Sequence, residues 1–233
     1  IISWSGSDAA SGISTYEYAL GTTSGGTEEI DWTSTGTSTA DTITGLSLTE
    51  GSTYYLSVRA TDAAGNLSDV VTGDGITIDL TAPAGTTVND GTGDDIAYTG
   101  SDSTLSANWP AFTETVSGIE KYEVAIGTSS GGTDVVDWTD NSTNTSVTKT
   151  GLTLNSGTYY TSAKAKDNAG NVSDIITSNG AILDLDGPAV GTIADGTTTD
   201  NDWSNPTTTL SAKWSAFSDT LSGSQKYEYA IGP

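Results

Sequence analysis

Aspartates gather in two stretches of the chain, and they are the side chains whose type and number suit metal binding. The positions are Asp79, Asp90, Asp94 and Asp95 in the first stretch and Asp184, Asp186, Asp195, Asp200 and Asp202 in the second. Carboxylate oxygens are the ligands of Ca²⁺, which takes about six to eight of them. These aspartates are therefore candidate calcium ligands, and the chain gives no sign of another cofactor. The alternative is that they are ordinary turn residues, since no EF-hand spacing is present.

The missing residue types exclude other kinds of site. The chain has no Cys and no His, which excludes disulfides, thiolate chemistry, imidazole bases and the commonest zinc sites. Thirty acidic residues against seven basic ones give a net charge of −23, so the chain repels nucleic acid. No apolar run is long enough to span a membrane. An acidic, Cys-free, Thr-rich composition favours an extracellular protein, either secreted or on a bacterial surface.

The acidic residues outside these stretches do not indicate catalysis. Glu17 and Glu123 precede inward-facing residues of predicted strands, where solvated charges discourage pairing between strand edges. Paired carboxylates for glycoside hydrolysis need a cleft, and no feature of the sequence marks one. The GTSSGG turn lacks the lysine and the following helix of a phosphate-binding loop. We predict a non-enzymatic protein.

A repeated unit organises the chain. The run KYEVAIGTSSGGTDVVDW at 121–138 matches TYEYALGTTSGGTEEIDW at 15–32, and KYEYAIGP begins a third copy at 226. Many landmarks, among them Trp4, Trp109 and Trp214, recur 105 residues apart. A repeat of this length has the size of one β-sandwich domain rather than of a solenoid unit.

The repeat divides the chain into three parts. Residues 1–82 form a first repeat without its strand A, 83–187 a complete second repeat, and 188–233 a third repeat with strands A to C only. We expect this segment to be a window on a longer array. We also expect Trp214 to be covered by strands outside the segment.

Alternating apolar and polar residues predict strands throughout. In the second repeat, Leu105, Ala107 and Trp109 share one face of a strand, and Tyr122, Val124 and Ile126 share one face of the next. About seven short strands at this spacing, with no helical period, predict an all-β sandwich. Trp4, Trp109 and Trp214 occupy in-phase positions with apolar neighbours, so we expect them in the core.

The segments GSTYYLSVRATDAAGN at 51–66 and SGTYYTSAKAKDNAGN at 156–171, together with the in-phase tryptophans, resemble the fibronectin type III family. The resemblance implies tandem fibronectin type III-like, or Ig-like, sandwiches with a buried Trp. It also implies a tyrosine that locks the E–F corner, here Tyr54 with Leu48 and Tyr159 with Leu154. The DAAGN turns and the DLTAP and DLDGP joints are similar to those of repeat arrays on bacterial surface adhesins.

In such an array, the end of one repeat meets the B–C and F–G loops of the next. Glu114, Asp167 and Asn168 should then lie near the first joint with Asp79, and Asp219 near the second. This arrangement places the predicted calcium at the joints between repeats.

Trp32 and Trp138 end short edge strands, where two interpretations stay open. They pack against the sheet, or they are exposed platforms for a glycan. For the whole protein, we predict a non-enzymatic stalk, fibre or filament on a bacterial surface that serves adhesion or surface structure. Pro83 and Pro188 would stiffen its joints. Its partners would be neighbouring repeats of the same chain or of identical chains, and host or matrix glycans. The alternative is a set of carbohydrate-binding accessory repeats of a secreted hydrolase.

Overall fold

A computed structural model describes residues 1–197, 200, 203, 205 and 209–231 of the chain. This part contains strands and loops, and it has no helix that could cross a membrane. Asp202 lies outside the described residues. The strands are β1 Ile2–Ser3, β2 Ile13–Gly21, β3 Ile30–Gly36, β4 Ala40–Asp41, β5 Thr53–Asp62, β6 Val71–Thr72, β7 Ile76–Thr77, β8 Asn89–Asp90, β9 Tyr98–Thr99, β10 Thr104–Asn108, β11 Ile119–Gly127, β12 Val136–Asp140, β13 Ser146–Thr150, β14 Gly157–Asp167, β15 Ile176–Thr177, β16 Ala181–Leu183, β17 Ile193–Asp195 and β18 Ala212–Trp214.

The chain separates into two compact units. The first contains Ile1–Pro83, Glu114–Ile119 and Lys166–Val172, and the second contains the remaining segments. The first unit therefore includes two loops that the sequence assigns to the second repeat. The repeat boundaries at 82/83 and 187/188 stay predictions.

The first unit is built on a five-stranded antiparallel sheet. Its order is β3-β2-β5-β6, with β7 also paired to β5, and β1 pairs with β4 in a separate sheet. The YEYAL run of β2 buries Tyr16 and Tyr18, which lie opposite Ala60 and Val58 of β5. Alternation along β2 thus places its aromatic residues in the core and Glu17 on the other face.

The second unit contains two facing sheets. One has the order β13-β10-β8, and the other runs β12-β11-β14-β16-β9, with β15 beside β14. Both sheets contribute to one core, made by Leu105, Ile126, Leu154, Tyr159 and Leu183. The pairings β13-β10-β8 and β12-β11-β14-β16 correspond to the A-B-E and C′-C-F-G sheets of a fibronectin type III sandwich, and β9 adds a parallel strand beside β16. The all-β sandwich prediction is confirmed.

The tyrosine corners that the resemblance implied are present in both repeats. The Tyr159 hydroxyl accepts a hydrogen bond from the Asn155 backbone N–H at 3.2 Å and donates to the Asn155 carbonyl at 2.9 Å. The Tyr54 hydroxyl accepts from the Thr49 N–H at 3.0 Å. Each bond ties strand F, which is β14 or β5, to the loop that precedes it.

The tryptophans of strand B differ in burial, although all three were predicted to be core residues. Trp109 is only 3% exposed and packs edge-on against Tyr122, whereas Trp4 is half-buried beside Tyr16. Trp214 is 37% exposed. The described part of 188–231 forms only the pair β17–β18, so no second sheet covers this ring. The strand C predicted for the third repeat, within the run that begins at 226, is likewise loop in the described residues, which offer it no neighbouring strand to bond.

Candidate functional site

Three carboxylates converge within the first unit. One oxygen each from Asp79, Glu114 and Asp167 lies within 4.8 Å of the other two. Asp79 and Asp167 are buried, and Glu114 is half-buried. Among the described residues this is the one group of acidic side chains close enough to share a metal ion. Such a group concentrates negative charge in a partly dehydrated place, where a cation is strongly attracted.

Asp167 is positioned by the turn that follows β14. Its carboxylate accepts hydrogen bonds from the Gly170 N–H at 2.7 Å, the Asn171 N–H at 2.8 Å and the Asn171 amide at 2.9 Å. Burial opposes ionisation, but these hydrogen bonds outweigh it and hold the pKa of Asp167 below its ordinary value. Asp167 is therefore negatively charged at neutral pH.

The backbone of Ser117 contacts the carboxylates of both Asp79 and Glu114. The Ser117 N–H lies 3.2 Å from both Asp79 Oδ2 and Glu114 Oε1. Asn168 then fixes this loop against the β14 turn, because its amide donates to the Ser117 carbonyl at 2.8 Å. The Ser117 hydroxyl oxygen is buried and has no hydrogen-bond partner among the described residues.

Related loops elsewhere in the chain reproduce parts of this arrangement. Asp8 accepts hydrogen bonds from the backbone N–H groups of Ala10, Ser11 and Gly12. In the third repeat, the Ser222 N–H lies 2.8 Å from Asp219 Oδ1 and 3.1 Å from Asp184 Oδ2. The pairing of a joint aspartate with a B–C loop acid therefore occurs twice.

The structure places the other predicted ligands outside this group, where those with a hydrogen bond contact backbone or amide N–H groups. Asp95 accepts hydrogen bonds from the Asp90 N–H at 2.8 Å and the Asn179 amide at 2.9 Å, and Asp94 is exposed. The exposed Asp200 accepts from the Asp195 N–H at 3.0 Å, and the Asp186 backbone N–H donates to Asp184 Oδ1 at 3.1 Å. Of the predicted calcium ligands in the described residues, only Asp79 belongs to the group of three.

Asp90 has an unusual environment for a carboxylate. It is buried in β8 and accepts a hydrogen bond from the Gly180 N–H at 3.1 Å. Burial raises the pKa of Asp90 to about 6, and the negative charge of Asp95 adds to the rise, against hydrogen bonds from Ser178 and Gly180. Folded protein therefore binds this proton more tightly than unfolded protein does.

We expect Asp90→Asn to stabilise the protein at neutral pH. The stability that protonated Asp90 contributes is fully present below about pH 4 and is lost as the pH rises through about 6. The amide needs no proton to stay neutral, so the variant should be more stable at pH 7.5 by about 2 kcal/mol. Urea unfolding at several pH values measures this, with exposed Asp94→Asn as the charge-matched control. If the unfolding free energies of Asp90→Asn and Asp94→Asn changed with pH in parallel, the raised pKa of Asp90 would be contradicted.

Trp32 and Trp138 lie on corresponding surfaces of the two units, each beneath a basic side chain. Arg59 lies 4.2 Å from the centre of the Trp32 ring, and its Nε is 2.9 Å from Glu17. Lys164 lies 4.3 Å from the centre of the Trp138 ring. Both rings are half-buried, so each has one face covered by a cation.

Acidic side chains complete the Trp138 surface. Glu123 binds both Lys164 and Lys121 at 3.2 Å, and Lys121 also binds Asp140 at 3.2 Å. Burial opposes ionisation of Glu123, but the two lysines hold its pKa below the ordinary value. The edge of each sheet thus presents an indole, a cation and a carboxylate in fixed order.

Comparison with known proteins gives partial matches to two enzymes. The chain is 37% identical to Chitinase A1 of Niallia circulans over 139 residues, which is 59% of this chain and 18% of that protein. It is 38% identical to Exoglucanase B of Cellulomonas fimi over 143 residues, which is 58% of this chain and 12% of that protein. No family model matches. Because the matches cover less than a fifth of each enzyme, the chain corresponds to a non-enzymatic portion of them.

Among solved structures, the chicken CNTN1 FN1-FN3 domains are similar at a TM-score of 0.40 and 18% identity. The overlap covers 72% of this chain and 56% of that one. The strand order of the second unit, rather than this overlap, establishes the fold.

Sequence reasoning placed Glu114, Asp167 and Asn168 near Asp79, but it missed Ser117. A signal was available, because Ser11, Ser117 and Ser222 occupy the same position in the three B–C loops, each followed by Gly. The repeat alignment could therefore have indicated a serine beside the loop acid.

Proposed function

We propose that this chain is a non-enzymatic, extracellular run of fibronectin type III-like repeats that acts as a spacer in a secreted polysaccharide hydrolase. The supporting observation is the similarity to Chitinase A1 and Exoglucanase B over 139 and 143 residues. Each match is longer than one 105-residue repeat, yet it covers under a fifth of the enzyme. A shared segment of that kind suits a structural module better than a catalytic one.

The spacer would act mechanically. Hydrogen-bonded sandwich sheets hold their length, and Pro83 and Pro188 fix φ at the two joints. Its contacts would be with neighbouring repeats. The spacer would hold a catalytic domain at a set distance from a binding domain. The catalytic domain would then meet an insoluble surface in a narrower range of orientations than it would on a flexible connection.

Deleting residues 1–187 from the full-length protein tests this function. We expect turnover of a soluble oligosaccharide to stay within about twofold, because the catalytic site is untouched. Turnover of insoluble chitin or cellulose should fall by severalfold. A matched control replaces the segment with a flexible Gly/Ser linker of equal residue number. Equal loss on soluble and insoluble substrates, or full activity with the flexible linker, would contradict a spacer role.

A second candidate function is glycan contact at Trp32 and Trp138. Its support is the recurrence of the indole, cation and carboxylate on both sheets, since sugars stack on aromatic faces and bond to charged side chains. Cosedimentation with chitin and cellulose tests it. Binding that Trp32→Ala and Trp138→Ala abolish supports contact, whereas binding unchanged in both variants counts against it.

A bacterial surface stalk or fibre is the other setting in which the same repeats would act as spacers. The resemblance of the DLTAP and DLDGP joints to adhesin arrays supports it. A cell-wall anchor in the flanking sequence would favour this setting, and a glycoside hydrolase domain would favour the first. Host or matrix glycans would be the partners of such a fibre.

A further inference from the structure

We propose that Asp79, Glu114, Asp167 and the Ser117 hydroxyl form a Ca²⁺ site. This site is independent of the spacer function, because its ligands and its test do not involve a polysaccharide. It also differs from a general acidic surface, since its members come from three separate segments of the first unit.

The three carboxylates lie close enough together to repel one another and to attract a cation. Their oxygens are within 4.8 Å of one another, and two of the three side chains are buried. Like charges at this separation repel, more strongly where water is excluded. A divalent ion between them would replace that repulsion with attraction and would tie Asp79 to both loops.

The Ser117 hydroxyl is a second observation that favours a cation at the cluster. Its oxygen is buried without a partner, whereas buried polar groups are normally hydrogen-bonded. The equivalent hydroxyl of Ser11 has a partner, because it donates to Asp8 at 3.2 Å. The same position is thus hydrogen-bonded to the loop acid in the first repeat and is left unpaired in the second. A cation at the cluster would give the Ser117 oxygen its partner.

The ligand chemistry selects calcium. All four groups supply oxygen, which excludes the softer metals that prefer nitrogen or sulfur. Ca²⁺ accepts irregular sets of about six to eight oxygens, so waters and carbonyls can complete its shell. Mg²⁺ demands near-ideal octahedral geometry and gives up its water reluctantly. Known Ca²⁺ sites in extracellular modules have Kd on the order of 0.1–1 mM, and we expect an affinity in this range.

Titration calorimetry on the EDTA-treated, dialysed chain tests the site with CaCl₂ and MgCl₂ as probes. We expect saturable Ca²⁺ binding, at least about tenfold weaker Mg²⁺ binding, and a higher Tm in 10 mM CaCl₂. Glu114→Gln keeps the size of a half-exposed side chain and removes its charge, so Ca²⁺ binding should weaken at least tenfold. Ser117→Ala should weaken it severalfold while leaving the Tm in EDTA nearly unchanged.

Asp8→Asn is the matched control, because Asp8 holds the position of Glu114 in the first repeat but lies outside the group of three. Its Ca²⁺ affinity should equal that of the unmodified chain. The proposal is overturned by the absence of saturable binding up to 10 mM Ca²⁺. It is also overturned by unchanged affinity in Glu114→Gln, or by tighter binding of Mg²⁺ than of Ca²⁺.

Discussion

Replacing Trp109 with Ala should reduce the free energy of unfolding of the second unit by about 4 kcal/mol. The side chain is 3% exposed and packs 5.7 Å, centre to centre, from the Tyr122 ring. Tyr122 in turn packs edge-on with Phe112 at 5.3 Å. Removing the indole therefore leaves a cavity and breaks a chain of aromatic contacts. Denaturant unfolding followed by circular dichroism measures the loss.

The repeats supply controls for this substitution. Trp4→Ala removes a half-buried ring, and Trp214→Ala removes one that is 37% exposed, so their effects should be successively smaller. Trp109→Phe should reduce the free energy of unfolding by less than half as much as Trp109→Ala does. Phe keeps an aromatic ring, and it removes the indole N–H, which is buried without a partner among the described residues. Equal effects from all three Ala substitutions would contradict the burial order.

Leu183→Ala should cost about 3 kcal/mol of unfolding free energy. Leu183 ends β16, is 0% exposed and packs in the core with Leu105 of the facing sheet. Truncation leaves a cavity between the two sheets, which a close-packed core fills poorly. Thermal and urea unfolding measure the loss.

Leu185→Ala is the matched control, since it removes the same atoms two residues later from a side chain that is 47% exposed. Its cost should be below about 0.5 kcal/mol. A Leu185→Ala effect as large as that of Leu183→Ala would place the core of this sandwich elsewhere.

Much of the fold was predictable because its strands alternate regularly. The runs around Leu105, Tyr122 and Tyr159 each place one face inward, and the structure has strands at all three. The positions of the short strands β8 and β9 were not predicted, since two-residue strands have no period. Their pairing depends on partners distant in sequence: β8 bonds to β10, and β9 runs parallel to β16.

The candidate metal site was predictable in part. The position of Asp79 relative to Glu114 and Asp167 followed from the way sandwich loops meet a joint. Sequence composition could not separate these three from Asp90 or Asp95, which accept hydrogen bonds outside the group of three. That distinction depends on which segments meet in the folded chain, and residue type does not reveal it. The cations over Trp32 and Trp138 were likewise hidden, because they come from β5 and β14 across the sheet.

The sequence that flanks these residues in the full-length protein tests the central claim most directly. Sequencing the gene outward from the codons for 1–233 should reveal a glycoside hydrolase catalytic domain in the same reading frame. The repeats would then be a non-enzymatic spacer of a polysaccharide-degrading enzyme. A reading frame that instead leads to a cell-wall anchor, without a hydrolase domain, would contradict this account and favour a surface fibre.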